Sequence, residues 1–172
     1  MASQLIESHR AGAEIVTGDD ICRKKSIELL EELGLPVGLL PLEDIEEFGY
    51  NQQTGFLWMV QRKKKKIEHT FKKIKQTVSY AGEVTAFAEK GKLKKITGVK
   101  TKELMLWISI VEVCATEASP EKVTFKSGAG ISKTFERRCI CTWGVQKAFW
   151  SSSSLFLDLP QRALAGGVAN AE

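Results

Sequence analysis

Residues 45–60 of this chain, IEEFGYNQQTGFLWMV, decide its fold class. The segment 45–50 mixes apolar and acidic residues and leads into a polar turn at 51–55 that ends in glycine. The segment 56–60 is then apolar at every position, which is typical of a short strand buried on both faces. The sequence therefore predicts two strands joined by a turn, and β structure from Pro41 onward.

Segments further along the chain continue this pattern of short strands and turns. Ile67, His69 and Phe71 alternate with polar residues, which predicts a half-buried strand with His69 on its apolar face. Residues 103–114 predict the longest strand. Its largely apolar stretch 104–111, with Trp107 inside it, predicts burial on both faces, as in a central strand or the wall of a closed barrel.

One helix precedes the strands. Asp19 and Asp20 suit the positively charged end of a helix, and Gly34 is placed to end it. The sequence predicts this helix over 19–33. A second helix over 3–16 is also compatible with the residues there. The apolar stripe of the main helix consists of Ile21, Cys22, Leu29, Leu30 and Leu33.

Together these elements predict a mainly β protein, an antiparallel barrel or sandwich of about 7–9 short strands with an N-terminal helix packed at one end. The strands of 43–135 are expected to form one closed or nearly closed unit. Three regions are predicted. Residues 1–16 form an N-terminal extension whose sequence is compatible with a helix, residues 17–136 form a single domain, and residues 137–172 form an atypical tail. The tail loses the periodicity and contains four consecutive serines, so we expect it to be disordered.

Charge is distributed unevenly along the chain. The 172 residues carry a net charge of +4, with 43% hydrophobic and 27% charged residues, as in an ordinary globular domain. Residues 1–61 contain eleven acidic and four basic side chains, whereas residues 62–102 contain three acidic and fourteen basic side chains. The basic middle third indicates an anionic partner.

The candidate binding site lies in this basic third, where a run of five basic residues occupies an expected hairpin connection. Its residues are Arg62, Lys63, Lys64, Lys65, Lys66, Lys72, Lys73, Lys94 and Lys95. Lysines at turns and sheet edges also protect against aggregation, and this is the alternative interpretation. Under the functional interpretation, these residues bind anionic phospholipid headgroups. The electrostatic attraction is about 1 kcal/mol for each basic residue near an acidic membrane. Nucleic acid is disfavoured, because Phe56 and Trp58 are expected in the core and not exposed for base stacking.

Patterns for catalysis or metal binding are sparse. The chain contains no G-x-S-x-G motif, its four cysteines form no C-x-x-C pair, and His9 and His69 are sixty residues apart. Neither a metal nor a cofactor is expected, and no catalytic residue is assigned. An ester hydrolase would need His69 in a solvent-reached cleft beside a Ser or Cys, whereas a packed His69 is the alternative.

The sequence also gives an expectation about location. The first twenty residues contain no apolar run of signal-peptide length, and the stretch 104–111 is far shorter than the roughly 20 residues of a membrane-spanning helix. We expect a cytoplasmic protein without a transmembrane segment that contacts membranes peripherally through its basic residues.

Four motifs give the chain a family resemblance. They are GDDICRKK at 18–25, LPVGLLPLEDIEEFGYNQQTGFLWM at 35–59, VSYAGEVTAFAEKGKLKKITGVKTKELMLWISIVEV at 78–113 and KVTFKSGAGISKTF at 122–135. On these motifs the sequence resembles the plant family known as domain of unknown function 538. It is most similar to the intracellular members, which begin with a polar helix.

The resemblance implies a compact, largely β domain with one of two roles. One is lipid binding, by comparison with the bactericidal/permeability-increasing protein, and the other is hydrolysis of ester bonds, including chlorophyll breakdown. It also implies a setting in stress responses and epidermal hair (trichome) development. Family members usually continue after the motif at 132–135 with a Phe-Pro-x-x-x-Phe strand, which is missing here. A frameshifted or alternatively spliced reading frame and a lineage-specific tail would both explain this difference.

The expected function is therefore that of a non-enzymatic lipid-binding module that binds an anionic phospholipid or a small hydrophobic ligand. The alternative is an ester hydrolase that acts on chlorophyll-like or other lipophilic esters.

Overall fold

A computed structural model of the chain describes residues 2–116 and 118–140. Within these residues lie two α-helices, nine β-strands and one short 3-10 helix. The helices are α1 (Ala2–His9) and α2 (Asp19–Glu32), and the 3-10 helix is Arg137–Cys139. The strands are β1 (Glu14–Thr17), β2 (Ile45–Asn51), β3 (Phe56–Gln61), β4 (Ile67–Phe71), β5 (Gln76–Glu89), β6 (Lys92–Glu103), β7 (Leu106–Thr116), β8 (Ser119–Ser127) and β9 (Ser132–Glu136).

The nine described strands form one antiparallel sheet in the order β1-β2-β3-β5-β6-β7-β8-β9, with β4 paired to part of β5. The prediction of a mainly β, antiparallel fold with an N-terminal helix is therefore confirmed. In the described part of the chain the sheet is not closed, because β1 and β9 are its two ends. Closure of the strands of 43–135 into a barrel is thus not found, and an open sheet replaces it.

The strand β3 is buried on both faces, as its sequence predicts. Leu57 and Met59 point into the main core, which also contains the apolar side chains of α2. Phe56 and Trp58 point to the opposite face, where they pack with Ile6 of α1 in a second cluster. The two helices thus cover opposite faces of the sheet.

The segment between β3 and β4 is not a hairpin. Both strands pair antiparallel with β5 one after the other, through Val60 with Glu83 and through Ile67 with Tyr80. The predicted hairpin at residues 62–66 is therefore wrong, because β5, with 14 residues, is long enough to pair with both strands. The five basic residues instead form a loop beside β5.

The stretch 104–111 contains a turn. Leu104 and Met105 join β6 to β7 with φ angles of 44° and 73°. The predicted central strand with two buried faces is wrong here, because Leu104 is 96% exposed, Met105 83% and Leu106 68%. No Gly, Asn, Asp or Pro marks this turn, so the sequence carried none of the usual turn signals.

The helix α2 packs at one end of the sheet, as predicted. It buries Cys22, Leu29 and Leu30, whereas Ile21 of the predicted stripe is 55% exposed. The Leu33 carbonyl accepts a hydrogen bond from the Gly91 amide in the β5–β6 turn, at 2.7 Å.

Both termini of the described region contribute to the domain. The predicted N-terminal extension, 1–16, is helical only in α1, and its residues 14–16 form β1 together with Thr17 and pair with β2. Beyond β9, the Arg137 guanidinium donates to the carbonyls of Gly34 and Leu35, at 3.0 and 3.2 Å, and Ile140 is buried. The rest of the predicted tail, 141–172, lies outside the described residues.

Candidate functional site

An apolar cleft lies on the inner face of the sheet. Its walls combine side chains from all the strands from β3 to β9, so the sheet must curve around it. Its deep end is formed by residues that are at most 2% exposed, namely Leu57, Val84, Ala86, Leu93, Val113 and Ile140.

The mouth of the cleft lies at the opposite end, where the turns after β4, β6 and β8 meet. Half-buried Ile74 and Ile108 and exposed Ile131 line it. The Lys133 ammonium on β9 donates to both carboxylate oxygens of Glu103 on β6, at 2.7 and 2.6 Å. Since β6 and β9 are three strands apart in the sheet, this ion pair spans the mouth.

The cleft has a small internal volume, about 60 Å³, and its mouth opens to solvent.

The polar side chains along the cleft are bonded within the protein. The Gln76 amide donates to Thr101 Oγ1 at 2.6 Å and to the Lys102 carbonyl at 2.8 Å. The Tyr80 hydroxyl donates to the Leu39 carbonyl at 3.0 Å, and burial raises the pKa of Tyr80. The cleft therefore offers a ligand mainly apolar contact.

The basic loop 62–66 is held against β5 by a close approach of the two backbones. A Cβ atom on Gly82 would lie 2.4 Å from the Lys64 Cα atom, so only glycine leaves room for the loop. The Lys64 ammonium pairs with Glu83 at 3.0 Å and lowers the pKa of that carboxyl, and Lys66 pairs with Glu68 at 3.2 Å. Arg62, Lys63 and Lys65 are exposed, and no described carboxylate lies within ion-pair distance of them.

The other predicted basic residues lie at two different ends of the sheet. Lys72 and Lys73 belong to the turn after β4, beside the cleft residue Ile74, and are exposed. Lys94 pairs with Glu89 at 2.8 Å, and Lys95 lies over the Phe87 ring. Because a strand rises about 3.3 Å per residue, Lys95 is about 26 Å along β6 from Glu103, the end of the strand at the mouth. The structure thus brings Lys72 and Lys73 to the mouth and leaves Lys94 and Lys95 at the far end of the sheet.

Sequence reasoning missed the apolar turn at 104–106 and misplaced Trp107. The Trp107 ring is only half-buried, and the ammonium groups of Lys66 and Lys102 lie 4.4 and 5.9 Å from its centroid. A two-residue turn that is apolar throughout has the same composition as a buried strand, so nothing in the sequence could have distinguished them.

His69 lies on the apolar face of β4, as predicted. Its ring packs edge-on against Phe71, with the centroids 4.6 Å apart, and His69 is not among the described residues that line the cleft. Burial lowers the pKa of His69, although the Glu43 carboxylate acts in the opposite direction. This position gives no support to the hydrolase alternative, which needs His69 beside a nucleophile in an open cleft.

Other chemical features can be stated for the described part of the chain. Across residues 2–116 and 118–140, no cluster of three His, Cys, Asp or Glu side chains is arranged to hold a metal ion. Cys22 and Cys114 are free thiols and are buried. None of the described helices has both the length and the apolar character needed to cross a membrane.

Fold and cleft together define the class of this protein as a mainly β domain with an apolar cleft inside an open antiparallel sheet. A family model described as "Protein of unknown function, DUF538" matches residues 26–139. The chain belongs to this family, which confirms the resemblance carried by its motifs.

A relative in Arabidopsis thaliana, "Uncharacterized protein At5g01610", is 31% identical over 107 residues, which cover 62% of this chain and 58% of the relative. The chain thus matches less than two thirds of the length of that plant protein. No solved structure matches the chain significantly.

Proposed function

We propose that this protein is a non-enzymatic lipid-binding module whose ligand is an anionic amphiphile. The apolar chain of the ligand occupies the cleft, and its headgroup lies near the basic residues at the mouth. The observation that carries this proposal is the apolar cleft, whose mouth adjoins the exposed Lys72 and Lys73.

The lining of the cleft favours an apolar lipid chain as its ligand. Its deep end is lined by aliphatic side chains, and its polar groups already have partners within the protein. Such walls bind water poorly. Replacement of solvent by an apolar chain is favourable, by about 25 cal/mol for each Å² of apolar surface buried. A chlorophyll-like macrocycle is far larger than the internal volume of about 60 Å³, and His69 is not among the described residues that line the cleft, which favours the lipid interpretation over the hydrolase.

The distribution of charge favours an anionic headgroup and an acidic membrane. Lys63, Lys65, Lys72 and Lys73 are exposed without a carboxylate partner among the described residues, so their charge is available to a ligand. Four such residues contribute at most about 4 kcal/mol near an acidic bilayer, which supports reversible adsorption.

Uptake of a fatty acid tests the cleft directly. We expect cis-parinaric acid, a fluorescent fatty acid, to gain fluorescence when it enters the cleft. Ile108→Trp should lower its affinity by about tenfold or more, because a larger half-buried side chain at the mouth blocks entry. The matched control is Ile21→Trp, at an exposed position of α2 away from the cleft. Equal affinity of parent and Ile108→Trp would contradict the proposal.

Adsorption to vesicles tests the basic residues. Replacing the four unpaired lysines, Lys63, Lys65, Lys72 and Lys73, by Ser should reduce sedimentation with phosphatidylserine-containing vesicles at least about tenfold. Binding of the parent should also weaken with salt, as the Debye length falls from about 10 Å at 0.1 M to about 3 Å at 1 M. The control removes the same charge elsewhere, by changing Lys24, Lys25, Lys90 and Lys122 to Ser. If both variants sediment as the parent does, the lysines serve only to solvate the surface.

A further inference from the structure

The three most exposed large apolar side chains of the described residues are consecutive in sequence. Leu104 is 96% exposed, Met105 83% and Leu106 68%, and the next, Ile21, is 55% exposed. Single exposed apolar residues are common on protein surfaces, but a run of three forms a patch that is a liability unless it has a function.

The backbone of this turn makes its composition more unusual. Leu104 and Met105 both have positive φ, in a two-residue connection between antiparallel strands. Such positions are normally occupied by Asn, Asp or Gly, which tolerate a left-handed backbone and interact well with water. Leu and Met are unfavourable there because they strain a left-handed backbone and expose apolar surface to water. Neither the pairing of the strands nor the packing of the core requires them at these positions.

The surroundings of the turn indicate what covers it. Next to it, half-buried Trp107 carries the ammonium groups of Lys66 and Lys102 over its ring, at 4.4 and 5.9 Å. Tryptophan with lysine is the combination that lies at the headgroup level of membranes, where the ring is half immersed and the ammonium groups reach anionic lipids. The apolar turn matches the acyl region of an acidic bilayer, and the tryptophan with its two lysines matches the headgroup region.

We propose that the turn 104–106 inserts into the acyl region of anionic membranes, while Trp107, Lys66 and Lys102 lie among the headgroups. The inference rests on the proposed function and adds the point of contact. Glu103 and Ile108, on either side of the tip, line the mouth of the cleft. Insertion therefore places the mouth at the bilayer surface, so that a lipid chain can enter the cleft without crossing water.

A second copy of the chain is the competing occupant of this turn. A stable protein interface buries about 1,000 Å² or more, with complementary surfaces on both sides. A projecting turn of three side chains provides much less area than that, whereas a bilayer accepts a narrow tip.

The first experiment removes the apolar character of the tip and improves its turn. Leu104→Asn, Met105→Gly and Leu106→Thr together supply the residues that such a turn and strand prefer, so the variant should fold at least as well as the parent. Its sedimentation with vesicles of equal parts phosphatidylcholine and phosphatidylserine should weaken about tenfold, because apolar contact is lost. The matched control Ile21→Ser removes an exposed apolar residue elsewhere and should bind as the parent does.

The second experiment measures how deeply the turn inserts into the bilayer. Met105→Trp places a tryptophan at the tip, and its added fluorescence should be quenched by lipids that carry bromine on their acyl chains. Full binding of the triple variant, or binding of Met105→Trp without such quenching, would overturn the insertion while leaving the lipid-binding function in place. A parent that does not bind these vesicles would overturn both proposals. A parent that is dimeric while the triple variant is monomeric would assign the turn to a second copy.

Discussion

Replacing Trp58 by alanine should destabilise the protein by about 3–5 kcal/mol. Trp58 is fully buried between α1 and the sheet, and its indole N–H donates to Glu47 Oε1 at 2.7 Å. Truncation leaves a large cavity and removes a hydrogen bond from Glu47, whose carboxylate also binds Arg10 at 2.9 Å. Thermal unfolding followed by circular dichroism should show a Tm lower by on the order of 10 °C.

The chain offers a matched control for this change in Trp107. This second tryptophan is only half-buried, and the ammonium groups of Lys66 and Lys102 lie over its ring. Trp107→Ala should therefore cost about 1 kcal/mol and shift the Tm by only a few degrees. Equal losses for the two tryptophans would contradict the assignment of Trp58 to a core cluster with Ile6 and Phe56.

Gly82→Ala should also destabilise the protein, by about 1–3 kcal/mol, and should loosen the basic loop. The new Cβ atom would meet the Lys64 Cα and carbonyl carbon at 2.4 and 2.6 Å. These are backbone atoms, so no rotation of a side chain relieves the clash and the loop itself must move. Urea unfolding measures the loss, and trypsin, which cleaves after Lys and Arg, should cut within residues 62–66 faster than in the parent.

Gly128→Ala is the control for this substitution. At Gly128 the nearest side-chain atom to a new Cβ is Val111 Cγ1 at 3.5 Å, an ordinary contact distance. Gly128→Ala should therefore leave both the stability and the rate of cleavage close to those of the parent. Unchanged cleavage in Gly82→Ala as well would show that the loop does not pack against β5 as described.

The sequence predicted the elements whose composition follows from burial alone. The strand β3 is apolar at five successive positions because both of its faces are covered, one by the main core and one by α1. The helix α2 was equally readable, since acidic residues begin it and Gly34, with a φ of 71°, follows it. Local composition and tertiary environment agree in both cases.

Prediction failed where the tertiary environment contradicted local composition. Residues 104–106 are apolar yet exposed, and the loop 62–66 resembles a hairpin turn although β5 pairs with the strands on both sides of it. The cleft could not be predicted from the sequence for a different reason. Its walls come from seven strands, β3 to β9, and depend on how the sheet curves, a property that no single segment encodes.

The hydrogen bonds of Arg137 have a consequence for the order of folding. They join parts of the chain that are 103 and 102 residues apart, whereas the strands from β5 to β9 each pair with their neighbour in sequence. Closing so long a loop is slow, and during synthesis it must wait until Ile140 has left the ribosome. Until then the main core lacks Ile140, and a partly folded chain with uncovered apolar surface is prone to aggregation.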